Sequence, residues 1–284
     1  MTELSLDALD ALLLPDRPLM EDVVDLHHKL HLYQKIDSTN NEARRILEQA
    51  AWNNDLPALD DSLLVANHQT AGRGRQGHDF YSPADTGLYV SLIRTAADVL
   101  EPAHLGKLTL AAAVATAEAI EETVGVGPKI KWVNDLYYND RKVCGILTES
   151  FQWNKDRPRG VILGIGINCN TEVFPDELKD TAGSLTTGGI DFLDRNKLTV
   201  ALWKRLQYWT EHLSDPLLLK EYRARDFLTG KTVSFERNGA SYRGTVQGID
   251  DDGKLIVRLL SALVSKSEAQ TVVLDSGEVH ITDW

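Results

Sequence analysis

Residues 69–77 read Gln69-Thr70-Ala71-Gly72-Arg73-Gly74-Arg75-Gln76-Gly77, in which residues 72–77 interleave three glycines with two arginines and Gln76. Glycine has no Cβ, so it visits positive φ freely and lets backbone approach a ligand closely. Each arginine brings a planar fork of donors that matches carboxylate or phosphate oxygens. Such a loop suits an anion that must be wrapped and then released. Standing alone, it reads first as a mobile surface loop with solvated arginines, because short Gly/Arg matches recur by chance. A second stretch shifts that balance. It is Lys131-Trp132-Val133-Asn134-Asp135, followed by Asp140-Arg141-Lys142-Val143-Cys144-Gly145-Ile146-Leu147.

Working outward, residues 63–67 are short and apolar, which predicts a buried strand that delivers Gln69 and the loop at its end. Upstream lies Asp37-Ser38-Thr39-Asn40-Asn41-Glu42-Ala43. Thr39 with Glu42 has capping-box spacing. Ala43, Ile46, Leu47 and Ala50 continue it as one apolar helix face. Plain capping accounts for Ser38, Thr39 and Asn40 when they are taken alone. Residues 52–61 read as a loop. Downstream, residues 87–94 are rich in β formers and predict a second strand. Residues 104–124 form a long alanine-rich helix, stopped by Gly125, Gly127 and Pro128.

Residues 129–132 start a further strand. Residues 136–138 and 142–149 read as two strands of a hairpin turned at Asn139-Asp140. A polar turn is expected over 154–159, and a central strand over 160–168 ends at Asn168. Residues 174–190 are mostly loop. Asp194 caps a helix with Leu198, Leu202, Leu206, Trp209 and Leu213 inside, interrupted by Pro216; a second helical piece covers 217–227. From Leu228 the texture changes to short strands, with Asn238-Gly239, Asp252-Gly253 and Ser276-Gly277 as turns. That pattern predicts a small all-β barrel. The acidic opening, residues 1–36, carries a helical spacing at Leu6, Leu9 and Leu13. It is short for a DNA-reading winged helix.

The chain has 284 residues, 43% hydrophobic and 25% charged, an ordinary globular balance for one large core or two domains. A net charge of -12 argues against general affinity for nucleic acid or an anionic membrane. Cys144 and Cys169 are the two cysteines; they have no metal-ligand spacing, which points to a reducing, cytoplasmic setting. Leu12-Leu13-Leu14, closed by Pro15, is far too short to span a bilayer, and the opening residues lack a basic leader pattern.

Together these motifs resemble the biotin–protein ligases. The resemblance rests on Ser38-Thr39-Asn40, the GRGRxG loop (72–77), KWxND (131–135), RKxxGIL (141–147) and GIGIN (164–168), in that order. It implies an α/β (α+β) fold: a mixed-sheet catalytic domain over residues 37–228, followed by an SH3-like β-barrel over 229–284, with 1–36 as an N-terminal extension. It implies an ATP-dependent enzyme that makes biotinyl-5′-adenylate, then passes biotin to a lysine of a biotin carboxyl carrier domain of a carboxylase. ATP and biotin are the expected substrates, with Mg²⁺. No DNA or membrane partner is expected, and the resemblance leaves monomer and homodimer open.

The first step brings two anions together, a carboxylate and the α-phosphate, so cations are needed; Arg73, Arg75 and Lys142 are the available ones. By resemblance, Lys142 and Arg75 reach the biotin carboxylate and the phosphate. Ser38, Thr39, Asn40 and Gln69 are neutral groups able to serve both donors and acceptors of the ureido ring. Arg73, Gly74 and Gly145 complete the expected biotin site, Gly145 by letting its backbone come close. Lys131, Asn134, Asp135 and Asn168, with Arg75 and Phe80, are the expected ATP side. Asn134 and Asn168 read equally as turn and strand-end asparagines. Asp135 reads equally as a Mg²⁺ contact and as a loop anchor. Cys144 reads as a small buried filler. The family usually has proline where Val133 stands and often tryptophan where Phe80 stands. Phe80 can still stack on adenine or pack on the loop.

A lipoate–protein ligase shares this architecture, but would be expected to lack GRGRxG beside KWxND. An RNA-binding protein would use residues 72–77 as an RGG-like unit. One such unit in an acidic chain is a poor tract, and that reading leaves residues 131–147 unexplained.

Overall fold

A computed structural model describes residues 3–13, 29–153, 158–187, 193–237, 239–260, 270–275, 277 and 279–282. Its main sheet is built on alternation. The strands are β1 (Leu30–Tyr33), β2 (Leu63–Ala66), β3 (Gly87–Arg94), β4 (Lys129–Lys131), β5 (Asp135–Tyr138), β6 (Arg141–Gln152) and β7 (Pro158–Asn168). They lie in the order β1-β2-β3-β7-β6-β5-β4, with β1 parallel to β2 and the remaining pairs antiparallel. The sheet is therefore mixed, as the family resemblance implied.

Successive side chains of a strand point to opposite faces. On β7, Val161, Leu163, Ile165 and Ile167 enter the large core, together with α4 (Leu108–Val124). That helix is alanine-rich and buried almost throughout, which lets it lie close to the sheet, and α5 (Arg195–Glu211) packs against its other side. On the opposite face, Leu64, Ile93 and Ile162 pack under Ala43, Leu47 and Ala50 of α2 (Thr39–Asn53). Beyond Ile162, that same face of β7 carries Gly164 and Gly166. Their register partners are Leu147 and Gly145 on β6, and Ser91 and Tyr89 on β3. Helix α2 covers one half of the face, and the half built from small residues stays open as a cavity.

Several boundaries depart from the sequence reading. Strand β1 lies inside the stretch expected to be an extension, so the sheet begins before residue 37; its LHLY pattern is short and carries a histidine. Helix α1 (Leu6–Leu13) forms where Leu6, Leu9 and Leu13 predicted it and packs on α5, with Asn196 donating to Glu3 O at 2.9 Å. The long helix expected over 104–124 is two, α3 (Pro102–Leu105) and α4, parted at Gly106-Lys107. Pro216 starts α6 (Pro216–Ala224), capped by the Asp215 side chain, where proline lacks only an N–H that would be unpaired anyway. Asp194 caps α5 as expected. The expected Thr39–Glu42 capping box is absent: Ser38 is the N-cap and makes no side-chain cap bond. The Asn139-Asp140 turn has φ of 50° and 57°, the paired left-handed conformation of a tight hairpin.

At the C-terminal end, β8 (Thr232–Arg237), β9 (Ala240–Ile249), β10 (Leu255–Leu259), β11 (Thr271–Leu274) and β12 (Val279–Ile281) form one antiparallel sheet, ordered β11-β10-β9-β8-β12. The Trp132 indole donates to Gly253 O at 3.0 Å and ties this sheet to the KWxND stretch. Of the expected turn residues, Asn238 and Ser276 lie outside the described residues, as do 154–157 of the polar turn and 188–190 of the expected loop. Among the described residues, no helix is long and apolar enough to cross a membrane.

Candidate active site

The open half of the sheet face is a cavity of ≈ 340 Å³. Glycines make its floor. A Cβ on Gly164 would fall 2.1 Å from Asn40 Oδ1, and one on Gly166 would fall 2.4 Å from Phe80 Cε1. The Asn40 amide and the Phe80 ring therefore lie directly on the sheet backbone. Gly145 makes room for two neighbours: its Cβ would stand 3.2 Å from the Phe80 ring and 3.5 Å from Lys142 Nζ.

The start of α2 forms one wall. Ser38, Thr39 and Asn40 are almost wholly buried and line the cavity. Gln69 Oε1 accepts from Thr39 N at 2.8 Å and from Thr39 Oγ1 at 3.2 Å, and Gln69 Nε2 donates to Ser82 Oγ. Gln69 thus satisfies a helix-end N–H that no local side chain caps. Ser91 Oγ lies 2.6 Å from Asn40 Oδ1 and 2.8 Å from Thr39 Oγ1. Gln69, Thr39, Ser91 and Asn40 are thus held in one hydrogen-bonded chain at the cavity wall.

Lys142 comes to the cavity by a β-bulge. Leu136 pairs with Cys144, but the next residue, Tyr137, pairs with Lys142, so Val143 is the extra residue. Val143 and Cys144 both enter the core, and Lys142 is turned to the face of Gly145. Its Nζ lies 2.8 Å from Asp135 Oδ1. Its backbone is clamped by the 181–183 segment: Lys142 N donates to Thr181 O, and Gly183 N donates to Lys142 O. Asn134 donates to Asp135 Oδ1 at 3.0 Å and to Ile146 O at 3.1 Å.

The glycine–arginine stretch closes the opposite side as a small hairpin. Arg73 bridges to Asp79, Gly74 N donates to His78 O at 2.7 Å, and Phe80 N donates to Gly72 O at 2.9 Å. Gly72 is needed because a Cβ there would fall 2.4 Å from both Phe80 O and Ser82 Oγ, and Gly77 because it turns at φ 81°. Arg75 donates to Asn134 Oδ1 at 2.8 Å and to Gly277 O at 3.5 Å. Arg73 turns to a bidentate pair with Glu149, at 3.0 and 3.1 Å.

Of the sequence-predicted residues, Ser38, Thr39, Asn40, Gln69, Arg73, Gly74, Arg75, Phe80, Lys131, Asn134, Asp135, Lys142 and Gly145 all line this cavity. Asn168 is not among its lining residues. It is buried, and its amide donates to Gly183 O at 3.0 Å, which anchors the segment that clamps Lys142. The Gly74 N–H is already used by His78. Phe80 lies on the glycine floor, edge-on to Tyr89. Sequence reasoning missed Ser91, Asp79, Thr181 and Glu149. Gly164 and Gly166 of the GIGIN motif form the floor, and two glycines at period two inside a strand mark such a close approach. The cavity's carboxylates are Asp79 and Asp135.

The description of the biotin/lipoate A/B protein ligase family matches residues 32–168, and that of the biotin protein ligase C-terminal domain matches residues 228–281. The biotin--[acetyl-CoA-carboxylase] ligase of Mycobacterium tuberculosis is 30% identical over 274 residues, 94% of this chain and 95% of that one.

The chain belongs to the biotin–protein ligase family.

The bifunctional ligase/repressor BirA of Bacillus subtilis is 40% identical over 212 residues, 72% of this chain; the chain spans 63% of that relative's length. Among solved structures, the biotin protein ligase of Aquifex aeolicus in complex with biotin and ATP superposes with a TM-score of 0.72 at 26% identity, covering 89% of this chain and 97% of that one. In this biotin–protein ligase family member, the matched segments contain the motifs that build the cavity and the C-terminal sheet that borders it.

Proposed function

We propose that this chain activates biotin with ATP as biotinyl-5′-adenylate and transfers the biotinyl group to a lysine of a biotin carboxyl carrier domain. The observation that carries the reading is the convergence of Lys142, Arg75 and the neutral side chains of Ser38, Thr39, Asn40 and Gln69 on one glycine-floored cavity. Two relatives, from Mycobacterium tuberculosis and Paracoccus denitrificans, are named biotin--[acetyl-CoA-carboxylase] ligases.

In the first step a biotin carboxylate oxygen attacks the α-phosphorus of ATP, and pyrophosphate leaves. Lys142 and Arg75 offset the negative charge gathered there, each preorganised cation worth roughly 2–4 kcal/mol of barrier. Thr39, Asn40 and Gln69 present both donors and acceptors to the ureido ring. Phe80 offers an aromatic face above the floor. Asn168 acts through Gly183 and the backbone of Lys142, without touching the ligand. In the second step an acceptor lysine amine attacks the acyl carbon, the acyl–phosphate bond breaks, and AMP leaves. Closure by residues 72–80 keeps water from the anhydride.

Mg²⁺ fits as an ion carried in by ATP. Such ions are held by one or two carboxylates with substrate phosphates. Asp135 and Asp79 supply that much, and no cluster of three or more metal-binding side chains occurs among the described residues. Lipoate ligase is the weaker reading, since residues 228–281 match a domain of biotin protein ligases. The test is ATP–pyrophosphate exchange with the purified protein. Exchange driven by biotin and not by lipoate is expected, followed by gain of one biotinyl mass on a carrier domain. Exchange driven by lipoate instead would overturn the proposal.

A further inference from the structure

Strand β6 carries three residues in succession on the cavity face: Gly145 in the floor, Leu147 in the wall, and then Glu149. Glu149 stands where the cavity meets the hydrophobic cluster under α2, and only 15% of its side chain is exposed. Its carboxylate gathers groups from two other parts of the chain. Oε2 accepts from Arg73 Nη1 at 3.0 Å and from Asn40 Nδ2 at 2.9 Å. Oε1 accepts from Arg73 Nη2 at 3.1 Å and from Arg44 Nη2 at 3.3 Å. Arg73 is also held by Asn41 Oδ1 at 3.1 Å.

This arrangement commits the terminal Nη1/Nη2 fork of Arg73 to Glu149. A guanidinium fork engaged by both oxygens of one carboxylate is held in a fixed orientation. What the pair does is fasten. Residues 72–80 are pinned to the sheet at two points, Arg75 to Asn134 and Arg73 to Glu149. The second point shares its carboxylate with Asn40, which lies on the Gly164 floor.

We infer that Glu149 is a positioning residue that acts as the catch of the glycine–arginine loop, holding it shut through Arg73 and orienting Asn40 toward the ligand with the same carboxylate. The inference rests on the biotin-ligase reading for the identity of the ligand. The catch itself is read without it.

The test is a cycle of Glu149→Gln, Glu149→Ala, Arg73→Ala and the Arg73→Ala/Glu149→Ala double variant, with Arg44→Ala as control. Trypsin cleavage after Arg75, followed by mass spectrometry, reports loop opening in the absence of ligand. Thermal unfolding confirms that each variant is folded. If Glu149→Ala does not fold, the near-isosteric Glu149→Gln serves in its place. Cleavage after Arg75 is expected to rise roughly five- to tenfold in each single variant, the range for a half-buried, charge-assisted pair. It should rise no further in the double variant, because both changes break one contact. Arg44→Ala should leave it near wild type. The KM for biotin should rise in the Glu149 variants and much less in Arg73→Ala, since of these two residues Glu149 is the one that bonds Asn40. Wild-type cleavage rates in the single variants, or additive effects in the double variant, would overturn the catch even where adenylate is formed normally. A wild-type protein that forms no adenylate would defeat the functional reading and leave the proteolysis result standing.

Discussion

Lys142 Nζ lies 2.8 Å from Asp135 Oδ1, and the bulge at Val143 is what allows the contact. Asp135 pairs in register with Gly145, on the cavity face. A strictly alternating strand would place Lys142 on the face of Cys144, inside the core, where an ammonium would have to be desolvated. The bulge takes up one residue and returns Lys142 to the cavity. Asp135 then holds the amine over Gly145 until a substrate carboxylate or phosphate replaces it.

Replacing Lys142 with alanine should lower the rate of biotin-dependent pyrophosphate exchange by roughly a hundredfold or more, the scale of losing one preorganised cation. The fold should be retained, because the side chain is partly exposed. Asp135→Asn should lower kcat less than Lys142→Ala and leave the biotin KM nearly unchanged, since it loosens the amine without removing it. Exchange kinetics on both variants check this, and normal exchange in Lys142→Ala would sink the assignment of the site.

Gly164→Ala tests the floor. The added Cβ would lie 2.1 Å from Asn40 Oδ1, so the amide must leave its place against Ser91 and Glu149. Losing a positioned amide costs about 1–3 kcal/mol, which is roughly a tenfold or greater rise in biotin KM. The unfolding temperature should change far less than for a core truncation. Pyrophosphate-exchange kinetics at varied biotin measure the first effect and thermal unfolding the second.

Much of this site was legible because its chemistry is concentrated in contiguous motifs. Gly72 to Gly77, Lys131 to Asp135 and Lys142 to Gly145 each bring their groups within a few residues, and the structure folds them onto one cavity. The hairpin at Asn139-Asp140 and the strand ending at Asn168 followed from turn chemistry and apolar runs. What escaped depends on pairing between distant strands. The bulge at Val143 is a register event, invisible until β5 and β6 are laid side by side. In the sequence Glu149 is only the last residue of the expected strand 142–149; its meaning comes from Arg73 and Asn40, which lie far away along the chain. The Thr39–Glu42 capping pattern was misleading for a related reason. Gln69 supplies the cap from another element, so Thr39 is left facing the cavity.

Burial holds both cysteine thiols well above their ordinary pKa of 9.0, with Cys169 pushed up to about 12. Both should therefore stay protonated and unreactive in the native protein. Iodoacetamide at pH 8 is expected to leave Cys144 and Cys169 unlabelled until denaturant is added, which peptide mass spectrometry reads directly. The linked stability has a definite sign. The unfolded thiols lose their protons as pH rises past about 9, while the folded ones keep theirs, so the unfolded state is favoured progressively above that pH. A protein in which both thiols are changed to alanine should lose less stability between pH 8 and pH 10.5, whatever its stability at neutral pH. Rapid native labelling of either cysteine would contradict the burial that places them.

Arg75 joins three parts of the molecule: the loop it belongs to, Asn134 at 2.8 Å, and the C-terminal sheet through Gly277 O at 3.5 Å. It lines the cavity beside Lys142, so it both holds charge and closes the wall. Arg75→Gly removes both contacts and adds a flexible residue next to Gly74. The reaction should still proceed, because Lys142 remains, but the adenylate should escape before an acceptor arrives. A released mixed anhydride acylates any nearby amine, so biotin should appear on a bystander protein mixed with the enzyme and ATP. Asn134→Ala should give a weaker form of the same leak, since it removes only one of the two anchors. Blotting the bystander with streptavidin compares the two variants with wild type. Leakage in Arg75→Gly above Asn134→Ala, and both above wild type, is the expected order. Bystander labelling at the wild-type level in Arg75→Gly, with adenylate still formed, would show that the intermediate is retained by the walls of the cavity and not by this arginine.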